Sequence, residues 1–157
     1  MFMSSDLIER YAQGATQLAE SIRGLSREDL NAFPVPGTWS IQQIVIHMMD
    51  SDLIGSDRMK RVAAEDRVPT LIGYDESAFA RNLAYDQLDP QLACEIFEKN
   101  RRMTTEVLKR LPKPAFDRVG DHNEHGQMTL HQLLETYVGH LDHHLKFIAQ
   151  KRKLLGK

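Results

Sequence analysis

The chain has 157 residues, 41% of them hydrophobic and 27% charged, a globular balance that argues against wholesale disorder and for one domain spanning residues 1–157. Its formal net charge of −2 supplies no basic face for nucleic acid, no apolar run approaches the roughly 18 residues of a membrane span, and the opening MFMSSDLIER lacks the plan of a signal peptide. The lone cysteine, Cys94, excludes an intrachain disulfide framework and any CxxC site, so the expectation is a cytoplasmic protein with no nucleic-acid or membrane partner.

Ser5 precedes Leu7, Ile8, Tyr11, Ala15, Leu18 and Ile22, spaced three and four apart, which predicts a first helix. SRED begins a short turn, and FPVPG is a connector of proline and glycine. In SIQQ, Ser40 is the N-cap of a second helix and Gln43 reaches back to complete a capping box; the helix runs to about Ala64. RVPTLIGYDE reads as a loop leading into a short helical piece. A third long helix opens with Asp89 as N-cap and Pro90 in its first turn, and stops at Pro112. Its apolar stripe is read through Ile96, Met103, Val107 and Leu111; Cys94 falls off that stripe and, with no activating base nearby, reads as inert. Residues 112–128 read as a polar loop. Thr129 and Gln132 form another capping box for the last helix, whose basic tail KRKLLGK suits a helix C-terminus. Four long amphipathic helices and no convincing alternating strand predict an all-α four-helix bundle.

The last helix carries YVGHLDHHLKF, three histidines in an otherwise core-facing run. At about 100° per residue, His140 and His144 point within about 20° of the direction of Leu133, at the centre of the inward stripe. His143 lies about 80° to one side, and Asp142 points the opposite way. On the second helix, His47 belongs to the inward half with Ile44, Val45, Met48 and Ser51. An unpartnered buried imidazole costs about 1–3 kcal/mol, so either each ring finds a hydrogen-bond partner or a divalent metal takes all three. Three protein nitrogens with an open fourth position are the arrangement of a catalytic zinc site. No Glu-x-x-His pair supports a di-iron bundle, and HExxH, G-x-S-x-G and Walker A patterns are absent. His131 reads as a surface residue.

Taken together, GTWSIQQIVIHMMDSD and YVGHLDHHLKFIAQ resemble the DinB/YfiT-like metalloenzyme family. The resemblance rests on Trp39-Ser40-Ile41, on His47 six residues after Ile41, and on the late H-x-x-H-H of His140, His143 and His144. Asp50 and Ser51, Arg58, and Tyr74-Asp75-Glu76 match the YfiT-like branch, and DHNEHG is similar to that branch's His-Pro-Glu-x-Gly segment, with Asn123 in place of proline. Two departures stand out: Gly139 where tryptophan is frequent, and Asn100-Arg101-Arg102-Met103 where His-x-Arg-Trp is frequent.

The resemblance implies an up-down-down-up bundle, frequent homodimers, and a metal held by His47, His140 and His144. It also implies a small-molecule substrate and an S-transferase using a low-molecular-weight thiol such as bacillithiol, mycothiol or glutathione. The alternatives are a hydrolase acting through metal-activated water and a non-catalytic, stress-related binding bundle. Zinc is the first expectation for the metal, with nickel, iron and manganese behind it. Arg58, about 16 Å along the helix from His47, is a candidate for anchoring substrate or for pairing with a structural carboxylate. Asp50 could orient a ligand imidazole. In the 121–126 loop, Glu124 is the candidate general base beside His122 and His125.

Overall fold

A computed structural model describes residues 4–157; the first three residues of the opening read against a signal peptide lie outside the described residues. Its long helices are α1 (Ser4–Gln13), α4 (Ile41–Ala64), α6 (Pro90–Leu108) and α7 (Leu130–Leu154), joined by the short helices α2 (Gln17–Ser21), α3 (Arg27–Asn31) and α5 (Glu76–Asn82). The capping boxes place the starts: Ser40 accepts from Gln43 N, and Thr129 from Gln132 N, with each glutamine side chain returning the bond. Asp89 accepts from the Gln91 and Leu92 amides at the start of α6.

Side-chain pairs give the helix directions. Ser4 meets His131 and Arg10 meets Asp142, so α1 and α7 run parallel. His47 and Ser51 meet His140 while Arg58 meets Tyr137, so α4 runs antiparallel to α7. Gln42 bonds the Leu88 carbonyl just before α6, and Asn100 bonds Asp52, so α6 runs with α4. The order is up-down-down-up. Two apolar clusters fill the bundle, one around Ile41, Val45, Phe97 and Ile148, the other around Leu7, Met59, Leu130 and Leu134.

Three features differ from the sequence expectations. The first helix is interrupted after Gln13, although its whole stripe from Leu7 to Ile22 is buried. A Cβ on Gly14 would come within 2.6 Å of Arg101 Nη1 and 2.7 Å of Leu141, so the break lies where two neighbours press against the backbone. The 112–128 stretch is not simply a loop: a 3-10 turn (Lys113–Asp117) precedes β2 (Val119–His122) and β3 (Gly126–Thr129), with β1 (Thr70–Leu71) pairing parallel to β2. The three-residue hairpin loop, residues 123–125, leads into Gly126, whose φ of +70° is a conformation that favours glycine.

The buried face of α6 also differs. It runs through Ala93, Cys94, Phe97, Arg101, Thr104, Thr105 and Leu108, and Met103 is 64% exposed. Cys94 therefore lies in the core, where burial pushes its thiol up to about 12; such a thiol has little thiolate character.

This polar face of α6 serves a buried ion pair. Arg101 Nε donates to Asp52 Oδ1 at 2.8 Å, and Nη2 donates to the Tyr137 carbonyl at 2.9 Å. Asn100 and the Tyr11 hydroxyl also donate to Asp52, while the guanidinium lies over the Tyr11 and Phe97 rings. One polar layer thus touches all four long helices.

Candidate metal centre

Helix α4 delivers His47 from its second turn, and α7 delivers His140 and His144 one turn apart. His140 Nε2 lies 3.2 Å from His47 Nε2 and 3.0 Å from His144 Nε2. Ring centroids are 4.5–5.0 Å apart, and the rings stand nearly edge-on to one another. His143 is exposed and packs edge-on against Phe147 at 4.7 Å, so the angular separation on the helix is real in space.

Burial lowers the histidine pKa values, with the neighbouring rings adding to the effect: His47 and His140 fall to about 3 and His144 to about 4. All three are therefore neutral near pH 7. A neutral ring has one N–H and one bare nitrogen. Among the described residues, Nδ1 of His47 and of His144 is buried without a hydrogen-bond partner, so hydrogen bonding alone leaves this cluster unsatisfied. Three neutral imidazole nitrogens are a ligand set for zinc and neighbouring divalent metals. At a Zn–N bond of about 2.0–2.1 Å, tetrahedral ligands stand about 3.4 Å apart, close to the separations found here. The residues present fit a divalent cation.

Around the cluster the other candidates divide. Trp39 packs against His47 with ring centroids 4.9 Å apart. Asp50 does not orient an imidazole; it accepts a 2.5 Å hydrogen bond from Tyr85. Its neighbour Ser51 lies 3.4 Å from His140 Nδ1 instead. His131 is half-buried against Ser4 rather than free on the surface.

A cavity of about 160 Å³ opens beside His140. Arg58 lines it, donating to the Tyr137 hydroxyl at 2.9 Å and to the Ile72 carbonyl. No carboxylate among the described residues forms an ion pair with Arg58. Tyr74 shares the cavity, its hydroxyl pushed up to about 12, chiefly by burial.

The hairpin brings His122 and His125 to the same cavity. Alternation along β2 turns Gly120 and His122 inward, and the His122 and His125 ring centroids lie 4.7 Å apart. Glu124 sits with them, able to bring a carboxylate oxygen within 4.8 Å of both imidazoles, but it is exposed and does not line the cavity. Its carboxylate lies over Gly73, where a Cβ would come within 2.4 Å of Oε2. Asn123, in the place of the family's proline, accepts from Gly73 N at 2.8 Å and ties the turn to the same loop.

The carboxylate that reaches the cluster is Glu76, the first residue of α5, with Oε2 3.9 Å from His47 Nε2. Burial, then the charges of Asp75 and Glu124, raises its pKa. Sequence reasoning gave Glu76 no role; its only signal was membership of Tyr74-Asp75-Glu76, because the loop that returns it to α4 has no periodicity.

The DinB superfamily matches residues 10–148. A provisionally named metal-dependent hydrolase of Halalkalibacterium halodurans is 30% identical over 113 residues, covering 72% of this chain and 65% of that protein. A Bacillus licheniformis protein of the same description is 29% identical over 133 residues, covering 84% and 75%. The solved structure of YfiT from Bacillus subtilis, described as a probable metal-dependent hydrolase with an unusual four-helix bundle topology, superposes with a TM-score of 0.91 at 23% identity, covering 98% of this chain and 87% of that one. A mycothiol-dependent maleylpyruvate isomerase shares the fold at a TM-score of 0.73 and 9% identity, covering 92% of this chain and 60% of that one.

Proposed function

Because the chain belongs to the DinB superfamily, we propose that it is a metal-dependent hydrolase whose cation is held by His47, His140 and His144. The observation that carries the reading is the set of three neutral imidazoles, with His140 Nε2 3.2 Å from His47 Nε2 and 3.0 Å from His144 Nε2, beside a polar cavity. A divalent cation held there, zinc first, would supply Lewis acidity and lower the pKa of water toward neutrality.

The chain's own groups do the rest. Glu76 accepts a proton from the attacking water, its raised pKa bringing it nearer the operating pH of a general base; Glu124, proposed from the loop sequence for that task, acts by holding negative charge near Glu76. Arg58, which lines the cavity and forms no ion pair with a carboxylate among the described residues, anchors a polar group of the substrate. The names of the relatives favour hydrolysis over the thiol transfer placed first by the resemblance. Thiol transfer remains the second reading, supported by the fold shared with a thiol-dependent isomerase and by the same three imidazoles, which would leave a divalent cation a position for a thiol.

The test is turnover by the purified, zinc-loaded protein on chromogenic carboxylic esters, amides and phosphoesters, and on an alkyl halide with and without thiol. Metal-dependent hydrolysis in the absence of thiol is expected. Glu76→Gln should keep its metal and lose about 100-fold or more in kcat, while Glu124→Gln should lose about tenfold or less. Turnover of the halide alone, and only with thiol, would transfer the site to the S-transferase reading. Absence of both would leave a metal-binding bundle without catalysis.

A further inference from the structure

Seven residues beyond His144, and so about 10 Å along the same face of α7, Lys151 is only 3% exposed. Its ammonium donates to the Thr38 hydroxyl at 2.6 Å, and Thr38 in turn donates to the Val35 carbonyl. Among the described residues no carboxylate forms an ion pair with it. Burial draws its pKa below the usual lysine range. The end of α7 favours a cation, yet Lys153 meets that field from solvent and Arg152 reaches across to the Ser21 and Arg23 carbonyls. Only Lys151 is turned inward, with a neutral partner for a charged group.

What it faces is a second cavity, about 350 Å³, walled by Val35, Trp39, Ile44 and Phe147 and lined also by His144 and Lys151. The histidine cluster therefore borders two spaces of opposite character. His140 lines the polar cavity of Arg58 and Glu76, whereas His144 lines this apolar slot.

We propose that the slot binds the apolar part of an anionic substrate. The bond to be broken lies at the histidine cluster, a hydrocarbon segment of about six to eight carbons spans the roughly 10 Å to Lys151, and a terminal carboxylate pairs with its ammonium. The identification of the reacting end rests on the hydrolase reading; the slot and its charge preference do not.

Calorimetric binding of butanoate, hexanoate, octanoate and 1-octanol, to zinc-loaded and to metal-free protein, tests the assignment. Affinity should rise about fourfold per methylene from butanoate to octanoate, and octanoate should bind at least tenfold more tightly than 1-octanol. Lys151→Met should abolish that advantage and change 1-octanol binding by no more than about twofold, while Lys151→Arg retains it. Equal affinity of the wild type for octanoate and 1-octanol would overturn the proposal, and that comparison needs no variant to fold. Carboxylate binding that requires zinc and ignores Lys151→Met would overturn it too. Binding is read without turnover, so loss of the slot leaves the hydrolase reading intact, and a loaded protein that hydrolyses nothing leaves the slot intact.

Discussion

His143 and His144 are neighbours in the chain with opposite surroundings, and one helical step of about 100° separates them. His144→Ala and His140→Ala should each abolish tight metal binding, and His143→Ala should leave it near one metal per chain by elemental analysis. Equal loss in the His143 and His144 variants would exclude the inward pair. Burial also changes the acid response expected from ordinary histidines. With pKa values of about 3 to 4 in the folded chain, protons should displace a metal bound there well below pH 6.5 rather than at it. The stability of the metal-free protein moves the other way from a salt-bridged histidine. Between about pH 6.5 and 3 the unfolded chain binds a proton at His47 that the folded one refuses, so stability present above pH 6.5 is lost as pH falls. The slope from His47 alone is about 1.4 kcal/mol per pH unit. Denaturant melts at pH 7, 6 and 5 would show it, and His47→Gln should flatten it by about that amount.

Packing between α4 and α7 depends on a glycine. A Cβ at Gly55 would come within 2.4 Å of the Tyr137 ring, and Tyr137 is the residue that accepts from Arg58. Gly55→Ala should therefore cost about 1–3 kcal/mol of stability through overpacking, and displace Arg58 from its cavity without removing a metal ligand. Metal stoichiometry near wild type with a raised KM is the expected pair of readouts; an unchanged melting temperature would show that the ring yields freely. The α6 face makes the converse point. The apolar stripe read along the chain includes Met103 and passes over Arg101, Thr104 and Thr105, because the buried face of this helix is partly polar and Arg101 is held there by Asp52.

Across the whole bundle, the Asp52–Arg101 layer touches all four long helices. Asp52→Ala would leave a buried guanidinium uncompensated and should cost about 3–5 kcal/mol, whereas replacing both partners, Asp52→Leu with Arg101→Met, should be near neutral or stabilising. A Tm lowered by about 6 °C or more in the single variant and largely recovered in the double one is the expected pattern. A double variant as unstable as the single one would show that the layer contributes more than the mutual compensation of its charges.

The helical content and the inward direction of His140 and His144 are readable along the chain because both are local. Ser40 with Gln43, and Thr129 with Gln132, cap their own helices, and a turn of about 100° per residue sorts histidines on one helix without reference to any other. The same turn puts His47 on the inward half of its own helix, and the resemblance to relatives added the expected bundle order. The strands of two and four residues, the burial of Cys94 and the place of Glu76 are different in kind. They depend on segments far apart in sequence: β1 finds β2 across some 50 residues, and Glu76 reaches His47 only after the chain doubles back from α4. The same holds for the partners of Arg101 and Lys151. Local periodicity records whether a side chain faces inward, but what waits there is chosen by the packing of helices against one another.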